Sequence, residues 1–339
     1  MKAAIVGTPG SGRKTLMAAL SGDPSLIPAG RKSTVTIRVP DNRIDTLSGL
    51  FRPKKTTWAT VEAVLDDSPM ENLGKRLQAA RGLDVIVLVA PAFGLGADGL
   101  EVAIQELERG IEEMILADQM VVEKRLEGFR KTGDKGIEAQ ILAHLQSTLE
   151  EGEFLSKLHL DELAEKLIVP YNFLTRKPLV AAINIDEEEL DNPIWGDAET
   201  RIRQRGLEPV VLCARLEAEI ADLAPEEQLE FLNAVGLSAP AAHRLVRGIY
   251  RLMDLISFFT VGEDEVRAWP VRAGSSAPVA AGKIHSDIRR GFIRAEVVAY
   301  EHFMECGSLA AARRNGRLRT EGKDYVVQDG DIINFLFNV

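Results

Sequence analysis

Cysteine, long apolar runs and low-complexity segments are all scarce in this sequence, and each absence excludes a class of protein. The two cysteines, Cys213 and Cys306, lie far apart in the 339 residues and have no CxxC or Cys/His spacing, which excludes a disulfide framework and a cysteine-based zinc site. The longest uncharged apolar stretch, 85–93, is much shorter than the roughly 20 residues that a membrane-spanning helix needs. Four apolar residues precede Gly7, too few for a secretory signal, so we expect a cytoplasmic protein with no membrane partner.

The overall composition is that of a folded globular protein. Hydrophobic residues make up 45% of the chain and charged residues 27%, which argues against a disordered or fibrous protein. At about 100–200 residues per domain, the length predicts two or three domains.

Charge is unevenly spread along the chain, whose formal net charge is -10. Residues 101–170 carry 16 acidic and 8 basic side chains, whereas residues 283–323 carry 5 acidic and 9 basic ones. Two interpretations stay open: two solvated faces of opposite sign, or a basic C-terminal module that contacts RNA phosphates. No specific DNA binding is expected.

Short apolar runs alternate with helical patterns in two separated stretches of the chain, which is typical of a parallel α/β sheet. The run at 85–90 is apolar throughout, as expected for a strand buried on both faces. The predicted strands are 2–6, 35–39, 61–65, 85–90, 180–185 and 209–212, and the predicted helices are 14–20 and 72–81.

Between these stretches, apolar residues recur at spacings near three and four from Ile104 to Phe129 and from Ile137 to Leu149. A break at 131–136 separates the two patterns, so we predict an inserted antiparallel helical hairpin with an acidic outer surface. Beyond helical patterns near 225–256, the chain is rich in short strands and glycine turns. The terminal run 332–337 is apolar on both faces, which predicts a central strand.

A glycine-rich turn between the first strand and the first helix fits the phosphate-binding P-loop in part. Glycines allow backbone N–H groups to converge on phosphate oxygens, and the helix N-terminus adds a favourable dipole. In the pattern G-x4-G-K-[ST], Gly7 and Gly12 fit, but Arg13 replaces the lysine, Lys14 replaces the hydroxyl residue that binds Mg²⁺, and Thr15 comes one position late. The motif alone leaves two alternatives: a phosphate-binding loop, or a turn that binds nothing.

The chain resembles the YchF proteins, P-loop NTPases of the Obg group, over nearly its whole length. The most specific motifs are Phe258-Phe259-Thr260, Glu265 to Trp269, Ala281 to Asp287, Gly291 to Ala295, Glu321 to Tyr325 and Asp329 to Val339. They are similar to that family's TGS domain, a ubiquitin-like β-grasp module. The hairpin insertion also has the position and charge of that family's helical domain.

The same resemblance extends to the base-binding side of the nucleotide site. Asn184-Ile185-Asp186-Glu187 resembles the family's N-x-x-E motif, which implies a preference for adenine, and Cys213-Ala214 resembles the loop that closes over the base. Asn184 to Glu187 also fits an ordinary acidic loop.

Departures from the family pattern lie on the phosphate side of the site. Besides Arg13 and Lys14, the D-x-x-G motif is incomplete, since Asp66 is near its place but Pro69 stands where glycine is expected. The switch that follows is deleted. The first switch, at 26–32, lacks the Mg²⁺-contacting threonine, and Thr34 and Thr36 fall in the next strand.

The sequence therefore predicts a protein with an α/β P-loop NTPase domain, an inserted helical hairpin and a C-terminal β-grasp (TGS) domain. It is expected to bind ATP, with GTP as the alternative, to lack the usual Mg²⁺ ligand, to hydrolyse nucleotide slowly or not at all, and to associate with the ribosome or RNA. The alternative is an active ATPase or GTPase that uses an atypical phosphate loop. No catalytic residue is assigned.

The predicted domains are 1–99 and 171–256 for the two parts of the NTPase-like domain, 100–170 for the hairpin and 257–339 for the TGS domain. The predicted cofactor-binding residues are Gly7, Pro9, Gly10, Ser11, Gly12, Arg13, Lys14, Thr15, Asn184, Glu187, Cys213 and Ala214.

Overall fold

A computed structural model describes residues 1–22, 32–67, 73–234, 236–237 and 239–338. These residues form a mixed α/β structure with two six-stranded sheets. The chain divides into two compact units, the first formed by Met1–Ile37 and Val61–Ile249 and the second by Arg38–Thr60 and Tyr250–Val339.

The first unit contains a six-stranded sheet in the order β2-β4-β1-β5-β6-β7. Its strands are β1 (Lys2–Gly7), β2 (Lys32–Arg38), β4 (Thr60–Asp66), β5 (Val85–Pro91), β6 (Leu179–Asn184) and β7 (Glu208–Leu212). β1 pairs in parallel with both β4 and β5, and β6 pairs in parallel with β5 and β7. β6 and β7 are buried at every residue, in keeping with their mainly apolar sequences, and their burial includes the polar residues Asn184 and Glu208.

The strand order reverses direction between β1 and β5. The chain leaves β1 toward β2 on one side, and the later strands β5, β6 and β7 extend to the other side. In open α/β sheets, the crevice at the carboxyl ends of the strands at such a reversal is where ligands bind. The glycine-rich turn after β1 lies at this point.

Ten α-helices occur among the described residues up to Leu252, of which nine belong wholly or mainly to the first unit and one, α2, to the second. They are α1 (Arg13–Ser21), α2 (Asn42–Phe51), α3 (Leu73–Ala79), α4 (Gly99–Thr132), α5 (Ile137–Glu150), α6 (Glu162–Ile168), α7 (Ile194–Gln204), α8 (Ala214–Ala221), α9 (Pro225–Ala234) and α10 (Ala241–Leu252).

The long helix α4 belongs to two hydrophobic cores. Its first half packs on the sheet through side chains such as Leu107 and Met114, and its second half packs on α5 through Leu126 and Phe129. At 1.5 Å per residue, its 34 residues span about 51 Å. It ends at Gly133, whose φ of 72° is the left-handed conformation common after helices. The sheet-packed first half of α4 therefore extends past the predicted boundary at residue 100.

The second unit contains the sheet β11-β10-β12-β8-β9-β3. Its strands are β3 (Lys55–Thr57), β8 (Leu255–Thr260), β9 (Glu265–Arg272), β10 (Phe292–Ala299), β11 (Arg319–Glu321) and β12 (Asp331–Phe337), and its C-terminal helices are α11 (Ala277–Ile284), α12 (Ser286–Arg290), α13 (Tyr300–Cys306) and α14 (Leu309–Arg314). β12 lies between β10 and β8, which confirms the central position predicted for the terminal strand.

Residues 38–60 are part of the second unit, a feature that the sequence did not indicate. β3 pairs in parallel with β9 from Lys55 to Thr57, and the Phe51 ring stacks on the Phe303 ring at 5.6 Å between centroids. Nη1 of Arg43 donates to Oδ2 of Asp329 at 2.8 Å. These contacts join a segment predicted inside the NTPase-like domain to the C-terminal sheet.

Most predicted elements of the first unit are confirmed within one or two residues, except β2, which begins three residues before its predicted start and includes Thr34 and Thr36. Helix α2 and the C-terminal helices were not predicted. Both cysteines are free, but Cys306 is half-buried rather than buried as its residue type suggests. No helix in the described residues is long and apolar enough to cross a membrane. Pro69 and residues 26–31 lie outside the described residues.

Candidate functional site

The turn between β1 and α1 adopts the backbone conformation that only glycine takes readily. Gly10 has a φ of 85° and Gly12 a φ of 90°, both left-handed. The amide of Ser11 donates to the carbonyl of Thr8 at 3.2 Å, and Gly12 is the N-terminal cap of α1. The turn thus presents backbone N–H groups and a nine-residue helix N-terminus at the carboxyl end of β1.

The glycine at position 12 is also required by close packing against Asn184. A Cβ atom added to Gly12 would lie 2.2 Å from Nδ2 of Asn184, and one added to Gly7 would lie 2.6 Å from the carbonyl oxygen of Val89. A Cβ added to Gly10 would meet nothing within 4 Å. Close packing therefore requires glycine at position 7, and the backbone conformation requires it at position 10. At position 12 both reasons apply.

Asn184, the last residue of β6, connects three segments of the site. Its Nδ2 donates to the carbonyl of Ser11 at 3.2 Å, and its Oδ1 accepts from the amide of Ala214 at 2.9 Å. Its backbone carbonyl accepts from the amide of Ala92 at 2.8 Å. The side chain is buried, so both ends of its amide hold the phosphate loop and the start of α8 in fixed positions.

Two side chains near Asn184 were given no role by the sequence analysis. Oδ2 of Asp186 accepts from the amide of Gly94 at 2.5 Å, which fixes the loop after β5. Phe93 in that loop is exposed, and its ring lies 3.8 Å from the position of a Cβ atom on Gly12. Glu187, by contrast, is exposed and makes one long ion pair with Arg215 at 4.0 Å.

Arg13 is buried at the start of α1 and retains unused hydrogen-bonding capacity. Its side chain is 7% exposed, and its Nη1 has no hydrogen-bond partner among the residues that the structure describes. Burial and the neighbouring Arg76 lower the pKa of Arg13, while Asp67, whose Oδ1 lies 3.7 Å from Nη2, raises it. Oγ of Ser11 is likewise buried without a described partner. Unpaired buried donors are costly, so this pair fits a site for an anion.

Lys14 lies where P-loop NTPases carry the hydroxyl that binds Mg²⁺. Its Nζ is 2.6 Å from Oδ2 of Asp67, just beyond the end of β4. An ammonium group cannot coordinate a metal ion, and it neutralises the nearby carboxylate. Within the described residues, no three His, Cys, Asp or Glu side chains form a group able to hold a metal ion. At position 14 the described residues therefore offer no ligand for the Mg²⁺ ion that this fold implies.

The structure brings together most, but not all, of the residues that the sequence singled out. Ser11, Asn184 and Ala214 form one hydrogen-bonded group against which Gly12 packs, and buried Cys213 precedes α8 beside it. Burial raises the pKa of the Cys213 thiol, which makes it a poor nucleophile at neutral pH. Asp67 is a further residue of the site that the sequence analysis missed; its only signal was its position after a predicted strand.

Comparison with known proteins places the whole chain in one family. It is 36% identical to the ribosome-binding ATPase YchF of Bacillus subtilis and 37% identical to that of Haemophilus ducreyi, over 100% of this chain and at least 99% of each relative. The chain belongs to the YchF family. The family model YchF-GTPase_C, described as "Protein of unknown function (DUF933)", matches residues 255–338.

Solved structures agree with this assignment. The YchF GTPase of Schizosaccharomyces pombe superposes with a TM-score of 0.84 at 26% identity and covers 99% of this YchF-family chain and 97% of its own. A GTP-binding protein of Pyrococcus horikoshii shares the fold, with a TM-score of 0.59 at 18% identity. The alignment with the Bacillus subtilis relative spans 370 positions against 339 residues here, so some positions of it have no residue in this chain.

Proposed function

We propose that this YchF-family protein binds a nucleotide, preferentially ATP, and hydrolyses it slowly or not at all. The observation that carries the proposal is the combination of two buried donors without described partners, Arg13 Nη1 and Ser11 Oγ, with an ammonium group at the metal-binding position. The donors favour retention of phosphate binding. The Lys14–Asp67 pair favours loss of the metal-assisted step.

The proposed phosphate-binding residues are Gly7, Pro9, Gly10, Ser11, Gly12, Arg13, Lys14 and Thr15. Backbone N–H groups of the turn and the charges of Arg13 and Lys14 supply the attraction. Arg13 keeps the positive charge of the usual lysine, and its guanidinium presents a planar set of donors that suits phosphate oxygens.

The proposed base-binding residues are Asn184, Glu187, Cys213 and Ala214. Relatives named as ATPases support adenine, although the Schizosaccharomyces pombe protein is named a GTPase. The polar atoms of Asn184 are engaged with Ser11 and Ala214, so we assign it to positioning the loops around the base.

The loss of hydrolysis rests on several departures together. Lys14 replaces the metal-binding hydroxyl, and Pro69 replaces the glycine that senses the γ-phosphate in P-loop NTPases. Alignment positions without a residue in this chain are consistent with shortened switches. On this interpretation the chain is a divergent YchF-family member.

Calorimetry with ATP, GTP, ADP and GDP, with and without Mg²⁺, tests nucleotide binding directly. We expect ATP to bind more tightly than GTP, and Arg13→Ala to weaken ATP binding by about tenfold or more, since it removes a charged phosphate contact. Arg201→Ala, on the exposed face of α7, is the matched control and should change nothing. No detectable binding of any nucleotide would overturn the proposal.

Phosphate release measured on the same protein separates this proposal from its alternative, an active ATPase with an atypical loop. Turnover close to that of the Bacillus subtilis relative, assayed in parallel, would favour the alternative. Turnover at background level with retained binding would support a nucleotide-binding protein without hydrolysis.

We further propose that the protein associates with the ribosome or RNA through its C-terminal β-grasp (TGS) domain and its helical hairpin, α4–α5. The relatives are named ribosome-binding ATPases, and the segment 283–323 is basic within an acidic protein. The proposed domains are the NTPase-like domain at 1–99 and 171–256, the helical hairpin at 100–170 and the TGS domain at 257–339. Residues 38–60, within the first of these ranges, pack in the second unit.

Cosedimentation with ribosomes tests this association in the full-length protein. Reversal of Arg289 and Arg290 to Glu should weaken it, and added salt should weaken the wild type progressively. Reversal of Arg201 and Arg203, also exposed, is the control. Equal cosedimentation of both variants would exclude the α12 surface. Deletion of 258–339 is a poorer test, because residues 38–60 would lose their sheet partners.

A further inference from the structure

A groove with a volume of about 760 Å³ lies along one edge of β12 in the second unit. Its apolar walls come from β12 itself, from Ile284 and Ile288 at the end of α11 and in α12, and from Leu309 in α14. The groove belongs entirely to the second unit and shares no residue with the nucleotide site.

Side chains from both faces of β12 line this one groove. Ile333, Phe335 and Phe337 point to one face of the sheet, and Ile332 and Asn334 to the other. A single groove can contact both faces of a strand only where it passes the edge of that strand. The backbone edge of β12 therefore forms part of the groove.

The pairing of β12 is unequal on its two sides. With β10 it runs from Asp331 to Phe337, whereas with β8 it consists of Ile332 opposite Phe259. β8 ends at Thr260, which the parallel register places beside Ile333, and the chain then turns into β9. On that side residues 334–337 therefore have no strand neighbour in the described part of the chain. An open edge of this kind pairs readily with another strand.

The two faces of the groove differ in chemistry. On the face of Asn334, α14 contributes Arg313 and Arg314, and Arg313 Nη2 donates to Glu296 Oε1 at 2.5 Å. Arg314 is exposed and has no acidic partner among the described residues. On the opposite face, the walls are the apolar side chains of Phe335, Ile284 and Ile288.

We propose that this groove binds an extended, acidic peptide segment of a partner protein, which adds to β12 as a further strand. Successive side chains of a strand point to opposite sides, so acidic residues at alternate positions would face Arg314 while apolar residues between them would face Phe335. Main-chain hydrogen bonds to the open edge supply affinity, and the two faces supply specificity. Of the two aromatic side chains that line the groove, Phe335 is buried and Phe337 alone is exposed. This leaves little surface for stacking nucleobases, which disfavours RNA as the occupant. Phe337, 45% exposed at the end of the strand, would be covered.

Fluorescence anisotropy with the full-length protein tests the proposal using labelled, capped peptides of eight residues that alternate Glu and Val. We expect binding, and at least tenfold weaker binding for a peptide that alternates Lys and Val. A Glu/Val peptide N-methylated at every residue should also lose at least tenfold, because none of its backbone nitrogens can donate a hydrogen bond to β12. Absence of binding at about 1 mM peptide, or equal binding of all three peptides, would overturn the proposal.

Protein variants locate the site independently of the peptide chemistry. Arg314→Glu and Phe337→Ala should each weaken the Glu/Val peptide at least fivefold. Their controls, Arg317→Glu and Ile293→Ala, change equally exposed side chains outside the groove and should leave binding unchanged. Displacement of the peptide by a ten-nucleotide poly-uridine strand would instead indicate RNA. Concentration-dependent dimerisation that Phe337→Ala abolishes would indicate a second copy of this chain; either result overturns the proposal.

Discussion

The ammonium group of Lys14 lies 2.6 Å from Oδ2 of Asp67, at the carboxyl end of the first sheet. This ion pair holds the Lys14 ammonium group beside the phosphate loop, at the residue position where P-loop NTPases use a hydroxyl to hold Mg²⁺. A metal-binding hydroxyl is thus replaced by a cationic side chain that is already paired with a carboxylate.

The first prediction is that nucleotide binding depends little on Mg²⁺. Because Lys14 and Arg13 supply positive charge directly, removal of the metal with EDTA should change the Kd for ATP by less than about threefold, or about 0.7 kcal/mol. Isothermal titration calorimetry measures this. The double variant Arg13→Lys, Lys14→Ser restores the motif and should acquire Mg²⁺ dependence while its turnover stays low. A large loss of wild-type affinity with EDTA would contradict the prediction.

The second prediction compares two glycines of the phosphate loop. Gly10→Ala should cost about 1–2 kcal/mol of unfolding free energy, since alanine is strained at a φ of 85° but meets no neighbour. Gly12→Ala bears the same strain and also displaces Asn184, so each hydrogen bond lost adds about 1–3 kcal/mol. Urea unfolding of both variants checks the difference. Equal unfolding free energies of the two variants would show that the Asn184 side chain can move away from residue 12 without loss of stability.

The third prediction concerns the attachment of residues 38–60 to the second unit. Arg43 is partly buried and donates to both Asp41 and Asp329, and these two carboxylates raise its pKa. Arg43→Ala should lower the unfolding free energy by about 1–3 kcal/mol. Lys54 makes an ion pair of the same length with Asp264, but both side chains are almost fully exposed. Lys54→Ala is therefore the control, and its effect should stay below about 1 kcal/mol.

The fourth prediction is a loss of stability in mild acid that depends on His243 in α10. Burial and the neighbouring Arg247 lower the pKa of His243 from its ordinary value of 6.5. The unfolded chain therefore takes up a proton near pH 6.5 while the folded protein does so only at lower pH. The free energy of unfolding should fall as pH decreases below 6.5 and through the folded-state pKa. Urea unfolding at a series of pH values measures this slope.

His243→Gln should flatten this pH dependence because it removes the titrating group. His159→Gln, at an exposed position, is the control and should keep the wild-type slope. If both variants retain the same slope as the wild type, another group causes the acid sensitivity.

The candidate site was predictable where its residues are tied to local patterns. Gly7 and Gly12 lie in a turn between a strand and a helix, and Asn184 ends a continuous apolar run. Both features can be predicted from the local sequence. The ion pair between Lys14 and Asp67 could not be predicted, since the two residues lie 53 positions apart and an acidic residue after a strand is common. Likewise, nothing local indicates that both ends of the Asn184 amide are used by Ser11 and Ala214.

The sequence by itself determined most strands of the first sheet, the presence of the long helix α4 and the central place of β12. In each case an uninterrupted apolar pattern matches one period, and glycines such as Gly133 mark the ends. Tertiary structure alone decided that residues 38–60 join the second sheet, that β12 extends past β8, and that Arg13 is buried. Strand pairing and burial depend on contacts between residues that are far apart in the chain. The free energies of these contacts cannot be deduced from a local sequence pattern.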